Sequence, residues 1–402
     1  MQNLNFKSVT FFYPSRIIGG AEFLFFRLAI YLITKYQVKV SYIDYFDGVV
    51  IKMFEKENID VDFLEYKGFN KFKLNTETIL ITPLSSVFDV KMYFKGNFRI
   101  FFWSIHPSGL FNSIKSNHTY NSSNLPLTKA GTDLDFLIDK QGVYFMDETN
   151  LIYQKDIFNF KNTPNFFVPI FCGKRKDERK PVNQHEIHLG WVGRLSSDKI
   201  FSLVNIVDHS ITFAVDNPIQ HIIIHVIGDG TERARLEQIE LPQNVKIVFA
   251  GTLLEDKLTD YVNANFDLAF AMGTSALEIA SMKKPVILVD FLYSSLPKDN
   301  RFRWLYEAKN YNVVDKFDEI LIRNVSFYEL IKLVRNKQHY TEGQKCYNYY
   351  EHNHSINAVG NIITEGLSKS NLFFSDLKNV DFKVPLIIES LRFAKRYLKS
   401  YL

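Results

Sequence analysis

Short apolar runs recur along this chain. Each is followed by a polar or glycine-rich turn, and then by a segment with apolar residues at helical spacing. In the first half, residues 6–13, 38–45, 78–82, 99–103, 143–146 and 166–171 read as strands. Residues 14–20 read as a turn, and 21–35 as a helix carrying Leu24, Leu28, Tyr31 and Leu32 on one side. In the second half, strands at 187–192, 221–227, 245–250, 268–271 and 285–289 alternate with helical segments at 201–215, 232–239, 256–264 and 275–282. Strand–helix alternation predicts parallel sheets. The expected fold is α/β, with two doubly wound Rossmann-like domains facing a central cleft.

The boundary shows as a dense charge run ending in proline, from Gly173 to Pro181. A solvated linker over 173–185 then separates a domain at 1–172 from one at 186–370. Residues 371–402 form a tail. Within it, 384–402 predicts a basic amphipathic helix, with Ile387, Leu391, Ala394 and Leu398 on one stripe and Arg392, Lys395, Arg396 and Lys399 around the other side.

Composition narrows the function classes. The chain has 402 residues and a net charge of only +4, which argues against a dedicated nucleic-acid binder. Two cysteines, Cys172 and Cys346, make no disulfide framework and have no metal-ligand spacing. There is no charged-then-apolar leader pattern and no run of about 18 apolar residues. The expectation is a cytoplasmic protein, at most peripheral to the inner face of the cell membrane.

Three phrases carry candidate chemistry: Gly190-Trp-Val-Gly-Arg-Leu-Ser-Ser-Asp-Lys199, Val226-Ile-Gly-Asp-Gly-Thr-Glu-Arg233 and Gly273-Thr-Ser-Ala-Leu-Glu-Ile-Ala280. Each sets a turn at the end of a strand-like run. In a parallel sheet such turns share the edge where ligands bind. Arg194 offers a planar fork for phosphate oxygens and Lys199 a compact charge. Gly193 lies between strand and cation. Gly273, Thr274 and Ser275 open a helix whose free N–H groups suit an anion. Glu278 lies a turn further on, where it suits either a ribose diol or the helix dipole. Gly228-Asp-Gly230 reads mainly as a strand–helix turn. Gly19 and Gly20 allow either a close approach to a ligand or a flexible turn, and Glu22 reads as a first-turn helix charge. His106 ends an apolar strand, where it suits a hydrogen bond to a sugar hydroxyl or a proton transfer. The triplets Asp60-Val-Asp62 and Asp133-Leu-Asp135 match a divalent-ion pattern, but chance triplets are expected among 44 acidic residues.

At these residues the chain resembles the GT-B glycosyltransferases, specifically the retaining glycosyltransferase family 4, or group 1. The resemblance spans roughly 187–290. It rests on Gly193-Arg-Leu-Ser-x-x-Lys199, Ile227-Gly-Asp-Gly230 and the helix bearing Glu278. Gly19-Gly-Ala-Glu22 and the Trp103–Pro107 phrase match more loosely. The resemblance implies a UDP- or GDP-sugar donor held by the second domain. Arg194 and Lys199 would face the diphosphate, Gly273 and Thr274 the phosphate, Glu278 the ribose, Gly20 the diphosphate from the first domain, and His106 the transferred sugar. It also implies no metal cofactor, and a final helix crossing back to the first domain. Two positions depart from the pattern: the family's Glu-x7-Glu motif would begin at Phe270, and Ile200 stands where glycine is usual.

The expected activity is retaining transfer of a sugar to an acceptor hydroxyl, in bacterial surface polysaccharide synthesis. The acceptor would be a saccharide or lipid-linked saccharide. The basic tail and the Lys67–Lys73 cluster fit an anionic membrane surface, and equally a bridging helix and a plain loop. Alternatives are a sugar-nucleotide epimerase of the same fold and a non-catalytic nucleotide-binding subunit of a glycosylation complex.

Overall fold

A computed structural model describes residues 4–118, 127–177, 186–317, 322–382 and Ser390. The chain divides into two compact units. One contains the residues up to Ile170 together with the described residues from Ile356 onward, and the other is Phe171–Ser355.

The first unit contains β1 (Ser8–Phe12), β2 (Lys39–Asp44), β3 (Asp62–Glu65), β4 (Phe72–Leu74), β5 (Thr78–Pro83), β6 (Phe94–Gly96), β7 (Arg99–Ser104) and β8 (Val143–Phe145). Six of these form a parallel sheet in the order β3-β2-β1-β5-β7-β8, while β4 and β6 pair separately. The central strands are buried along their whole length, as in Thr-Ile-Leu-Ile-Thr-Pro and Arg-Ile-Phe-Phe-Trp-Ser. That is why they read as continuous apolar runs: helices cover both faces of a parallel sheet.

The second unit repeats the plan with β9 (Glu186–Val192), β10 (His221–Ile227), β11 (Val245–Gly251), β12 (Leu268–Ala271), β13 (Val286–Leu288) and β14 (Arg303–Trp304). The order is β11-β10-β9-β12-β13-β14, with only β14 antiparallel. In each sheet the chain steps outward from its first strand on one side and then returns to the other. The switch points lie between β1 and β5, and between β9 and β12. Ligands of doubly wound sheets bind outside the carboxyl ends of such strands.

Residues 166–171 form no strand. Val168 is fastened instead by its N–H to the Phe145 carbonyl (2.8 Å) and by its carbonyl to the Trp103 indole N–H (2.8 Å). The Phe166 ring stacks on Tyr144 at 5.1 Å. The apolar run answers to these rings and not to a sheet register. The return to the first unit begins with the helix Ile356–Lys369, earlier than the expected 371. Gly360 lets this helix close on the helix Gly20–Tyr36, since a Cβ there would meet the Tyr31 ring at 2.3 Å. Asn361 accepts from Tyr31 at 3.1 Å and from Lys35 at 3.0 Å. Farther on, the Leu372 carbonyl accepts from Ile100 N–H, and Lys91 reaches the Leu377 and Val380 carbonyls. Apart from Ser390, the basic stretch 384–402 lies outside the described residues.

The abundance of phenylalanine and tyrosine is a core property. Phe11 meets Phe25 edge-on and stacks on Tyr42, and Phe101 stacks on Tyr144 at 4.6 Å. Each such ring buries a large apolar area with few rotamers to lose. The second unit buries polar rings as well. The His188 and His225 rings stack, with Nδ1 and Nε2 2.9 Å apart, and His225 Nδ1 meets the Tyr261 hydroxyl at 3.0 Å.

Burial, with the neighbouring His188 and Lys246, lowers the His225 pKa to about 4. Burial also lowers His339 to about 4. In the unfolded chain both titrate near the ordinary 6.5, so between those values the unfolded state binds more protons. Stability is therefore greatest above pH 6.5 and falls as the pH drops towards 4, by up to about 3 kcal/mol per site. Thermal unfolding measured from pH 7.5 to 4.5 should show this loss, and His225→Gln should flatten part of it.

Candidate functional site

The site is built on the pairing of β9 with β12. Val192 is in register with Ala271, and Trp191 with Phe270. The residues that follow, Gly193-Arg194 on one strand and Met272-Gly273 on the other, therefore emerge side by side at the switch point.

The first of these loops is braced by the loop after β10. Gly193 N–H donates to the Ile227 carbonyl at 3.0 Å, and Leu195 N–H to the Asp229 carbonyl at 3.0 Å. A Cβ at Gly228 would lie 2.1 Å from the Gly193 carbonyl, and one at Gly230 would lie 2.2 Å from that of Leu195. Gly228 also has φ +126°, a region that favours glycine. The Gly228-Asp-Gly230 turn is thus a buttress for the cation loop. Gly190 serves packing too, because a Cβ there would strike the Phe266 ring at 2.0 Å.

Arg194 is exposed and Lys199 half-buried. Lys199 caps the helix Ile200–Asp216 with its backbone carbonyl, which accepts from the Ser202 N–H at 3.2 Å, and its own N–H donates to the Ser196 carbonyl at 2.9 Å. Burial lowers the Lys199 pKa, Asp198 raises it, and the Arg194 charge lowers it again. The two cations therefore sense one another. Among the described residues neither has an ion-pair partner. Two like charges held together beside sheltering protein form a site for an anion. Ile200, in the usual glycine position, is fully buried and anchors the helix start in the core.

The helix Gly273–Ala280 supplies the second wall. Gly273 sits at φ +61° and gives its N–H to the Val313 carbonyl at 2.7 Å, so this amide is spent on the loop behind it. Met272, the N-cap, places no side chain on the helix start. The next amides, from Thr274 on, lack helical acceptors by geometry. Gly273, Ala276, Leu277, Ile279 and Ala280 are buried, leaving Thr274, Ser275 and Glu278 as the half-exposed stripe. These three share one face at i, i+3 and i+4 spacing. Glu278 pairs with Arg175 at 3.1 Å. The charge run expected as a solvated linker is thus packed through residue 177, and its remainder lies outside the described residues.

Behind both walls lies a buried ion network that sequence reasoning missed. Arg303 contacts Asp290 and Asp315 at 2.9 Å each, and Arg323 contacts Asp290 at 2.5 Å. The Asp290 carbonyl accepts from Ser202, the Leu292 N–H reaches the Asp198 carbonyl, and Phe291 N–H reaches that of Asp315. The network ties the loop holding Gly273 to the loop holding Lys199. No motif announces it, because its four members come from separate segments.

Phe270 does not occupy a ligand position. It is 1% exposed, inside β12, and packs edge-on against Phe302 at 5.5 Å. Strand β12 ends at Ala271 and the helix starts at Gly273, leaving no loop in which the motif's first glutamate would stand. Restoring Glu at 270 would bury a charge in the sheet.

In the first unit, Gly19 and Gly20 begin the helix Gly20–Tyr36 at the carboxyl end of β1. Glu22, 6% exposed, folds back over this start, where a Cβ on Gly19 would lie 2.9 Å from its Oε2. The carboxyl group at that helix start is the protein's own. Asp44 pins the same loop by accepting from Ser15 N–H at 2.8 Å. His106 follows β7 and is exposed. Its Nδ1 lies 3.2 Å from the Ser108 N–H, which can only donate, so the ring's proton belongs on Nε2. Partial shelter lowers its pKa, which also favours the neutral ring.

Three of the four triplet carboxylates have structural duties. Asp62 accepts from Ser41, Asp133 from the Asp381 N–H, and Asp135 from the Lys161 and Asn162 N–H groups. Among the described residues no helix is long and apolar enough to cross a membrane.

No family model matches the chain, and no curated protein does. Solved structures do. The apo form of the lipopolysaccharide outer core galactosyltransferase WaaB matches with a TM-score of 0.52 at 11% identity, over 90% of this chain and 99% of that one. The chain has the GT-B fold. Anabaena Alr3699/HepE, solved with UDP and glucose, matches with a TM-score of 0.49 at 11% identity, over 90% and 99%. TarM matches with a TM-score of 0.45 at 16% identity, over 72% of this chain and 55% of TarM, so the chain spans little more than half that protein's length. On the GT-B plan, the loops after β9 and β12 belong to the second Rossmann-like unit.

Two substitutions test this construction. Gly228→Ala should destabilise the protein and weaken ligand binding together, because the new Cβ displaces the Gly193 carbonyl. Phe270→Glu should lower stability by at least about 3 kcal/mol and create no binding gain, since it leaves a cavity and an unpaired buried charge. Denaturant unfolding checks both.

Proposed function

We propose that this protein is a glycosyltransferase that moves a sugar from a nucleotide diphosphate sugar, UDP- or GDP-linked, to an acceptor hydroxyl with retention of anomeric configuration. One observation carries the reading. Arg194 and Lys199, in no ion pair among the described residues, stand at the switch point beside a helix start that no side chain caps.

Charge grows on the diphosphate as the bond from sugar to phosphate breaks. Fixed cations and helix amides aimed at that position lower the barrier without reorganising. In this reading Lys199, with its lowered pKa, and Arg194 take the diphosphate. The amides and hydroxyls of Thr274 and Ser275 take a phosphate edge. Glu278 accepts from the ribose diol.

Gly19, Gly20 and His106 lie at the carboxyl edge of the first sheet, which we read as the acceptor side. A neutral His106 with its proton on Nε2 offers a donor to a sugar hydroxyl. Ile17 (78% exposed), Ile18 (53%) and Phe46 (78%) stand on loops of that edge, and Lys67, Lys71 and Lys73 are exposed after β3. Apolar and basic residues together suit a lipid-linked saccharide at an anionic membrane surface, in bacterial surface polysaccharide synthesis on the cytoplasmic side. WaaB, whose fold this chain shares, is a lipopolysaccharide galactosyltransferase.

A thermal-shift screen across nucleotide sugars should single out one donor, because a ligand that binds only the folded state raises stability with its affinity. Arg194→Ala and Lys199→Ala should each weaken that donor by about tenfold or more, the worth of a charge-assisted hydrogen bond. His106→Ala should lower kcat more than donor affinity. A wild-type protein indifferent to every nucleotide sugar, or full activity in both Arg194→Ala and Glu278→Ala, overturns the reading.

A further inference from the structure

The residues that follow the first unit do more than connect. Arg175 lays its guanidinium against the Glu278 carboxylate, Nη2 to Oε1 at 3.1 Å, and the two side chains are only 14% and 15% exposed. The segment around it is fastened on both sides. Arg175 N–H donates to Ser281 Oγ at 3.3 Å, and the same hydroxyl donates to the Glu278 carbonyl at 2.6 Å. Asn263 donates to the Lys176 carbonyl at 3.0 Å, and Asp177 pairs with Lys283 at 3.1 Å. Lys174 and Lys283 both lie over the Tyr347 ring, at 5.4 and 5.5 Å. Arg175 is thereby delivered to Glu278 by a fixed backbone.

We propose that Arg175 is a positioning residue for the ribose of the nucleotide: it holds Glu278 in one rotamer, so that the carboxylate meets the diol already aimed. The proposal rests on the reading of Glu278 as the ribose acceptor. A carboxylate has about four lone-pair sites, and the guanidinium takes only part of that capacity. A free glutamate would lose side-chain entropy when a nucleotide arrived, whereas one held by arginine has lost it on folding. The planar fork also sets direction, which a lysine charge would not. Because Arg175 contacts Glu278, a turn beyond Thr274 and Ser275, it acts on the ribose end of the ligand and not on its diphosphate end.

The test uses two ligands on the full chain. One is the nucleoside diphosphate that the wild type binds, UDP or GDP, and the other is inorganic pyrophosphate; both are followed by calorimetry. Arg175→Met should weaken the nucleotide by about tenfold, the scale of one charge-assisted hydrogen bond, and leave pyrophosphate unchanged. Glu278→Gln should do the same, and the double variant should be no weaker than the worse single. Arg175→Lys, which keeps the charge and loses the fork, should fall between wild type and Arg175→Met, and it serves as the folded control if Arg175→Met does not hold its structure.

Four results overturn the role of Arg175 alone: unchanged or tighter nucleotide binding in Arg175→Met, an equal loss for pyrophosphate, losses that add to those of Glu278→Gln, or an Arg175→Lys variant as weak as Arg175→Met. A wild type that binds neither ligand overturns the donor reading, and this proposal with it.

Discussion

The parallel pairing of β9 with β12 is the constraint on which the rest of the second unit depends. Those strands are far apart in sequence, and the chain reaches β12 only after building β10 and β11 on the opposite side. Their register sets Val192 beside Ala271. One step of slippage would turn the side chains of a buried strand to the opposite face. With the register held, a loop bearing two cations and a helix start that no side chain caps emerge together. The charges are gathered there at the cost of burial and of the Arg194 repulsion, which both lower the Lys199 pKa.

What holds the loops in place is backbone proximity and a buried charge network. Gly228 and Gly230 admit the carbonyls of Gly193 and Leu195 where a Cβ would not fit. Gly273 adopts a left-handed turn and spends its amide on Val313. Asp290, Arg303, Asp315 and Arg323 then bind the far sides of both loops together. Buried ion pairs seldom add much net stability, because desolvation offsets the attraction. Their value here is directional, fixing which segments meet behind the site.

The first unit uses the same sheet plan to different ends. The helix start at Gly20 is covered by Glu22, and its loop is pinned by Asp44. Burial, opposed by backbone N–H donors, raises the Asp44 pKa to about 6. What this edge presents outward is the exposed His106 ring and a few apolar side chains, with exposed lysines after β3.

Alternation of apolar runs and turns was enough to read two parallel α/β units, because buried parallel strands are continuous in apolar residues and helices keep their own period. The same pattern located Arg194, Lys199 and Gly273 at strand ends and Glu278 in the helix that follows, since turns at strand ends carry glycine and charge for local reasons. It did not show that Gly228 is a buttress, that Phe270 lies inside a strand, that 166–171 pairs with no sheet, or that the chain turns back at Ile356. Nor did it show that Arg175 grips Glu278. Each of those depends on which distant backbone arrives alongside, and periodicity in one segment carries no information about a neighbour contributed by another. Local sequence settled the elements; long-range packing decided which side chains became partners.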